Sequence, residues 1–431
     1  MAELEQRQGI FYGYYLAILT FLLGFTTGAI YLYSRGVFVR DQIVDFGASR
    51  TEISLTFTSI AIVSACFAPV LGYLLDRFPI KRIMLAGACL VATGFILLSQ
   101  VQNLVQFSLI AAVFLGFGIG GIGTAANTKL MVNWFNRNRG FALSIAIMGY
   151  SVAGTVMSPI ALFMLDNFGW RTSYMIFAAF ALLVIAPLVA LMVKQSPAEI
   201  GLGPDGDPEV VPEKLENPSS ERPTTSRWQA FKEQLEIYLS FTRSGPFWGI
   251  VFTFGLMAGT FGGFNVHLFL YYTELGVEPY WATFILSFTS AVAIASKPMF
   301  GALIDRINPR LATMISCGCC FGAMLCFSLF ENMAALFVAG ALFGLGFGGM
   351  IPVRAALISR LFTIEQYARA WGSLRLCMFP MTISWLPLIG YIYDTSGSYS
   401  LAFNLFAGLF ATALCVAFFM IPDDLNRREQ Q

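Results

Sequence analysis

Apolar runs of about 20 residues recur along this chain, and no other feature constrains its fold as strongly. A helix rises about 1.5 Å per residue, so about 20 residues cross a hydrocarbon core of about 30 Å. Such runs fall at about 11–34, 51–75, 83–99, 104–130, 140–165, 172–193, 246–272, 280–304, 311–330, 334–360, 370–393 and 400–421. With 57% of its 431 residues hydrophobic and 12% charged, the composition is ordinary only for a polytopic membrane protein. In lipid every backbone polar group must be satisfied internally, and the polar residues within the runs recur at helical rather than strictly alternating spacing. The expectation is an all-α membrane protein of twelve transmembrane helices.

Lys and Arg fall mostly into alternate connections: Arg77, Lys81 and Arg82; Arg137 and Arg139; the 194–243 connector; Arg306 and Arg310; Arg360 and Arg369; Arg427 and Arg428. The opposite connections carry only Arg35, Arg40, Arg50 and Arg171. Because basic residues are retained on the cytoplasmic side, both termini are expected there, in an inner or plasma membrane. The N-terminus leads straight into a full-length span without a small-residue cleavage site, so no cleaved leader is expected. Of the eight cysteines, only Cys317, Cys319 and Cys320 cluster, within a span that lacks His or carboxylates. They read as buried small hydrophobes, and neither a metal nor a disulfide framework is expected.

The chain repeats itself at half its length. Gly72-Tyr-Leu-Leu-Asp76-Arg77 returns as Gly301-Ala-Leu-Ile-Asp305-Arg306, the glycine run 116–121 returns at 344–349, and Asp166 returns as Asp394, at offsets of 228 or 229 residues. A constant offset across three separate motifs implies two six-span halves in the same orientation, over 1–194 and 245–431, an organisation used by secondary transporters. Residues 195–244, rich in Pro, Glu and Lys, read as a flexible cytoplasmic linker whose last part, from Arg227, has amphipathic helical spacing. The glycine runs also match G-x-G-x-x-G, but they follow no strand and lie inside spans, so close helix packing is the reading. There is no P-loop, and no hydrolytic, metal or nucleotide constellation, so an enzyme is not expected and no cofactor is expected.

Lys129, Lys297, Arg354 and Arg375 lie within apolar spans that hold no Asp or Glu at their depth. A charge at bilayer depth costs at least about 2.5 kcal/mol, so such residues normally face a cavity or a partner. Lys297 stands eight residues before Asp305, about 12 Å from the end of its span, too deep for comfortable snorkelling. Arg354 and Arg375 can each hold a carboxylate with a two-pronged fork, or snorkel, or tie helices together. Lys129 lies nearest an interface and reads as a topology anchor. His267, the only histidine, can carry a proton or donate to an anion, or serve as a satisfied bundle residue; alone it makes neither a metal site nor a triad. Asn127 and Asn404 are weaker polar candidates.

The motif Gly72-x-x-x-Asp76-Arg77-x-x-x-Lys81-Arg82 and its degenerate copy from Gly301 to Arg310 resemble the loop 2–3 and loop 8–9 signatures of the major facilitator superfamily. That resemblance implies a gating role for Asp76, Arg77 and Arg82, with Asp305 and Arg306 in the copy, and close helix approach at Gly72. It also implies that spans 3, 6, 9 and 12 are peripheral, and in this chain those four spans carry no charge. The segments Trp134-Phe135-x-x-x-Arg139-Gly140, Gly169-Trp170-Arg171, Pro197 to Gly206 and Lys297-Pro298-x-x-Gly301 are similar to those of monocarboxylate transporters and oxalate–formate antiporters. In those groups a basic residue before the span-8 proline binds the substrate carboxylate, which implies that role for Lys297. A basic residue near the outer end of span 1 is approximately matched by Arg35. The family's proton-coupling Asp, one turn before the basic residue, is Ala293 here, which leaves uniport, exchange or another proton carrier open.

The resulting expectation is a secondary transporter of small organic anions, mono- or dicarboxylates, working by alternating access. Lys297, Arg375, Arg354, Arg35 and His267 are its substrate-site candidates, and Gly72, Asp76, Arg77, Arg82, Asp305 and Arg306 its gating candidates. Its partners would be the anion, protons or a counter-anion, and the bilayer, with no nucleic acid. The alternatives are a transporter of another solute (a drug, a sugar or an aromatic acid) and a non-transporting membrane sensor. Cationic drugs are disfavoured, since no buried carboxylate would receive them.

Overall fold

The computed structural model describes residues 11–207, 241–304, 306–362 and 364–422, with side chains except at 139–141, 364, 365 and 367–369. The expected amphipathic segment after Arg227 and the gating candidate Asp305 lie outside the described residues. Eleven helices among those described are long and apolar enough to cross a membrane. One of them, Ala142–Met192, has 51 residues, roughly 75 Å of helix for a core of about 30 Å. It is interrupted at Gly169, whose φ of 71° is left-handed, so its two arms serve as the fifth and sixth spans. The helices are α1 Tyr12–Phe46, α2 Arg50–Arg77, α3 Ile80–Ser99, α4 Leu104–Trp134, α5 over 139–168 and α6 over 170–192. They continue as α7 Gly245–Glu274, α8 Pro279–Ile304, α9 Pro309–Leu329, α10 Met333–Leu361, α11 Ile364–Ser396 and α12 Ser400–Met420. The all-α expectation holds, and no strand occurs among the described residues.

Contacts group the chain into two compact units: Met1–Leu32, Ser59–Ala153 and Asn167–Ser220 in the first, and Tyr33–Thr58, Gly154–Asp166 and Glu221–Gln431 in the second. In the first unit the glycine run of α4 packs on α3 at backbone distance. A Cβ on Gly87 would sit 2.9 Å from the Gly118 carbonyl oxygen and 2.9 Å from Gly121 Cα, so only glycine admits this approach. α4 is also discontinuous. Gly123 is extended (φ −87°, ψ −158°) and starts a second helical arm, the Asn127 amide donates back to the Ile122 carbonyl at 3.3 Å, and Thr124 Oγ1 donates to the Tyr150 hydroxyl at 3.3 Å.

In this unit residues 195–207, the described start of the expected linker, fold against the loop before α5. Pro197–Ile200 and Pro204–Gly206 form short 3₁₀ turns, and the Trp134 indole and the Asn133 amide donate to the Lys194 and Gln195 carbonyls at 3.0 and 3.1 Å. Asp205 Oδ2 accepts from the backbone N–H groups of Asn136 and Arg137 at 2.9 and 2.7 Å, and Arg137 pairs with Asp207 at 2.5 Å. Composition suggested a loop that cannot build a core of its own; the short turns instead bind to backbone N–H groups that precede α5.

In the second unit α10 packs against α8 and α9. A Cβ on Gly348 would lie 2.5 Å from the Ala293 carbonyl oxygen, and one on Gly346 2.7 Å from that of Ser316. Ser296 and Ser316 each donate a 2.7 Å hydrogen bond across these seams, to Leu345 and Gly346. The Ala293 backbone therefore lines the seam between α8 and α10, and its side chain is buried. The segment Tyr33–Thr58, formed by the far end of α1 and the start of α2, belongs to this unit as well. It packs on α7 at Gly36, where a Cβ would be 2.7 Å from the Asn265 carbonyl oxygen, and on α11 at Gly390, where a Cβ would be 2.7 Å from that of Arg50.

Candidate functional site

The charged candidates of the second unit fall into two groups. The first lies on α8, α10 and α11. Arg354 stacks on the Trp371 ring, 4.6 Å from its centroid, and its Nη1 lies 3.9 Å from Met378 Sδ. Trp371, Arg375 and Met378 follow one another at i, i+4 and i+7, one face of α11. Arg354 thus touches the two residues that bracket Arg375 in the α11 sequence. Arg375 is exposed. α8 and α10 contain no Asp or Glu, and α11 has only Glu365 near its start and Asp394 near its end.

Lys297, partly buried on α8, follows Ser296, which is bonded to Leu345. Arg354 stands nine residues beyond Leu345, which puts Lys297 about 12 Å along the bundle from it. The three cations are therefore staggered on three helices of one unit.

The second group lies near the opposite ends of the helices. Arg35 is buried, 8% exposed, with its guanidinium 5.3 Å from the Phe57 ring centroid. His267 is 1% exposed. It stands seven residues before the end of α7, whereas Lys297 stands eighteen residues after the start of α8, which places the two on the order of 17 Å apart in depth. A single site holding all five candidates is therefore not formed. His267 is instead engaged from three sides: its Nε2 is 3.3 Å from the Leu386 carbonyl oxygen and 3.2 Å from Ser54 Oγ, and its Nδ1 is 3.1 Å from the Tyr399 hydroxyl. A carbonyl only accepts, so Nε2 carries the hydrogen and Nδ1 accepts from Tyr399.

Around His267 is a cluster that the sequence did not reveal. Arg50 donates to the Tyr399 hydroxyl and pairs with Glu274, and its guanidinium lies 3.4 Å from the Tyr393 ring centroid. Asp394 accepts from the backbone N–H groups of Arg50 and Thr51 at 3.1 and 2.8 Å, and from the Thr51 hydroxyl at 2.5 Å. These N–H groups open α2, where a helix leaves its first donors unsatisfied and a carboxylate is favoured. Asp394 was visible only as the repeat of Asp166; its partners are 343 and 344 residues away.

The gating candidates are less uniform. Asp76 is exposed and pairs with Lys129 Nζ at 2.6 Å, and Lys129 also donates to the Leu75 carbonyl. Lys129, expected as a topology anchor, is also an ion-pair partner of the loop motif. Arg77 donates to the Tyr73 hydroxyl at 2.9 Å, and Arg82 and Arg306 are exposed. A Cβ on Gly72, or on Gly301, would meet no described atom within 4 Å. The close approach expected at Gly72 is thus not formed among the described residues, because the glycines that do approach neighbours lie deeper in the spans.

Eleven apolar helices of membrane length among the described residues define a multi-pass integral membrane protein. The profile of the Major Facilitator Superfamily matches residues 16–334, and the chain belongs to that superfamily. Among curated proteins it is 24% identical to monocarboxylate transporter 2 of Homo sapiens over 377 residues, covering 84% of this chain and 76% of that one. It is 23% identical to monocarboxylate transporter 12 of Rattus norvegicus over 384 residues, covering 86% and 78%. Among solved structures, the nucleoside transporter NupG superposes with a TM-score of 0.72 at 15% identity over 95% of this chain and 100% of that one. An inward-facing bacterial homologue of the human lysosomal transporter Spinster gives 0.66 at 15% identity over 96% and 95%. These structures share the fold; the curated relatives place the chain near the monocarboxylate transporter group. It is a transporter of small solutes.

Proposed function

We propose that the solute is a small organic anion, a mono- or dicarboxylate, carried across the cell membrane by alternating access of the halves 1–194 and 245–431, with both termini cytoplasmic. The observation that carries this reading is the pairing of Arg354 with the α11 face that bears Arg375, on helices whose only carboxylates lie at the ends of α11. Basic groups within apolar spans are stabilised by a bound anion, and arginine forks suit a carboxylate. Lys297, deeper along the same bundle, is the main counter-ion, and its place before Pro298 matches the basic residue of the monocarboxylate transporter group. Arg35 acts as an attracting charge nearer the other end. Asp76, Arg77, Arg82 and Arg306 belong to gating, with Lys129 as the partner of Asp76. Proton symport and anion exchange are both compatible with this site. The Trp371 ring under Arg354 favours an aromatic acid as the second reading.

The test is uptake of a panel of radiolabelled aliphatic and aromatic carboxylates into proteoliposomes, under imposed pH and counter-substrate gradients, for the wild type and Lys297→Ala. Saturable uptake of one acid that disappears in the variant supports the assignment, and the gradient that drives it identifies the coupling. Normal transport by Lys297→Ala would refute it.

A further inference from the structure

His267 joins two parts of the second unit that are far apart in sequence. On one side is segment 33–58, through Ser54 and Arg50; on the other are α7 itself, α11 through the Leu386 carbonyl, and the N-cap of α12, Tyr399. The bonds form a relay with one direction: Arg50 donates to Tyr399, Tyr399 donates to Nδ1, and Nε2 donates to Leu386 and Ser54. Every donor in it needs the next acceptor, and the acceptor at Nδ1 exists only while the ring is neutral.

A proton added at Nδ1, taken from water, reverses this. The Tyr399 oxygen would then face two donors, Nδ1–H and the Arg50 guanidinium, while its own hydrogen lost its acceptor in a site where Tyr399 is 2% and His267 1% exposed. A buried donor without a partner costs more than the bond it replaces gained. The two cations would also be linked through a single oxygen. The other charged and titratable groups facing the site are Glu274 and Tyr271 of α7, Arg35 of segment 33–58, and Asp394 and Tyr393 of α11. Glu274 and Asp394 are already engaged by Arg50 and the start of α2. The Arg50 and Glu274 side chains, 13% and 34% exposed, give the relay an end open to solvent.

We propose that His267 is a proton-operated release for segment 33–58: neutral, it closes the relay that fastens the segment to α7, α11 and α12; protonated, it expels Arg50 and lets the segment part from them. The device is independent of which solute is carried.

The experiment uses the full chain in lipid nanodiscs, with nitroxide labels on noncanonical residues at Val44 and Ser398, and reads their distance distribution by pulsed EPR. No solute is added, so the outcome does not depend on the carboxylate reading. Measurements at about pH 7.5 and about pH 5.5 bracket the ordinary imidazole value of about 6.5, which the ring regains once the segment has parted. The wild type should gain a longer-distance population on acidification, its ratio to the short one rising by up to about tenfold per pH unit, the limit for one linked proton. His267→Gln, which keeps a donor but cannot titrate, should show the same distribution at both pH values. Tyr399→Phe, which removes the relay hydroxyl and leaves the histidine, should show the longer population already at neutral pH. A wild-type distribution that ignores pH overturns the proposal. So does a pH response that persists in His267→Gln, or a Tyr399→Phe variant that stays closed at neutral pH.

Discussion

Asp394 offers a measurable energy, because its carboxylate caps α2 from a distant point in the chain. It accepts two backbone N–H bonds and one hydroxyl bond at 3.1, 2.8 and 2.5 Å. Loss of an N-cap costs about 1 kcal/mol, range 0.5–2, and the carboxylate's interaction with a helix N-terminus adds about 0.3–1 kcal/mol. Asp394 is exposed, so the charge contribution belongs at the low end of that range. Asp394→Ala should therefore loosen the start of α2 by about 1–2.5 kcal/mol, which is about a 5- to 70-fold change in a local opening equilibrium. Asp394→Asn retains an acceptor oxygen and loses only the charge, about 0.3–1 kcal/mol, or about 2- to 5-fold. Hydrogen–deuterium exchange resolved on a peptide over 48–58 reads these factors, since amide protection reports local opening. If exchange of that peptide in Asp394→Ala equalled the wild type, the capping argument would fail. If Asn and Ala were equally damaging, the charge rather than the hydrogen bonds would be the cause.

Three further outcomes are expected. Asp76 and Lys129 have side chains 81% and 27% exposed, so a double-mutant cycle with Asp76→Ala and Lys129→Ala, read by thermal unfolding in detergent, should give a coupling of at most about 1 kcal/mol; more would mean the pair is desolvated in another state. Desolvation opposes ionisation of Asp205, but the N–H groups of Arg137, Asn136 and Asn138 outweigh it and hold its carboxyl below the ordinary 3.8. Its contribution is thus fully present above that value and lost as pH falls through the lower folded value. Limited proteolysis of 195–207 should stay slow from neutral pH to about pH 5 and rise only in stronger acid, whereas Asp205→Ala should be cut readily at neutral pH; equal rates at neutral pH would remove the clasp. Gly87→Val inserts side-chain atoms where Gly121 Cα leaves 2.9 Å, and such overpacking should cost about 1–3 kcal/mol in thermal stability, while Gly72→Ala, with open space around it, should change little.

The spans, the repeat and the cations placed within the spans were legible because lipid makes each of them costly to violate. An apolar run of about 20 residues has one cheap conformation in a bilayer, and a charge such as Lys297 is tolerated there only for a reason. The glycine runs 116–121 and 344–349 were legible as packing surfaces for the same reason. What the sequence could not specify is which residues meet. It marked Asp394 as a repeat but not as the cap of a helix 343 residues earlier, counted Arg50 only as a loop charge, and grouped His267 with Lys297 although the two lie at different depths. Hydropathy constrains each segment by itself, through its solvation by lipid or water. Pairing between distant segments depends on how the helices dock, and only the tertiary structure decided that Arg50, Tyr399 and His267 form one relay and that Arg354 lies over the α11 face that carries Arg375.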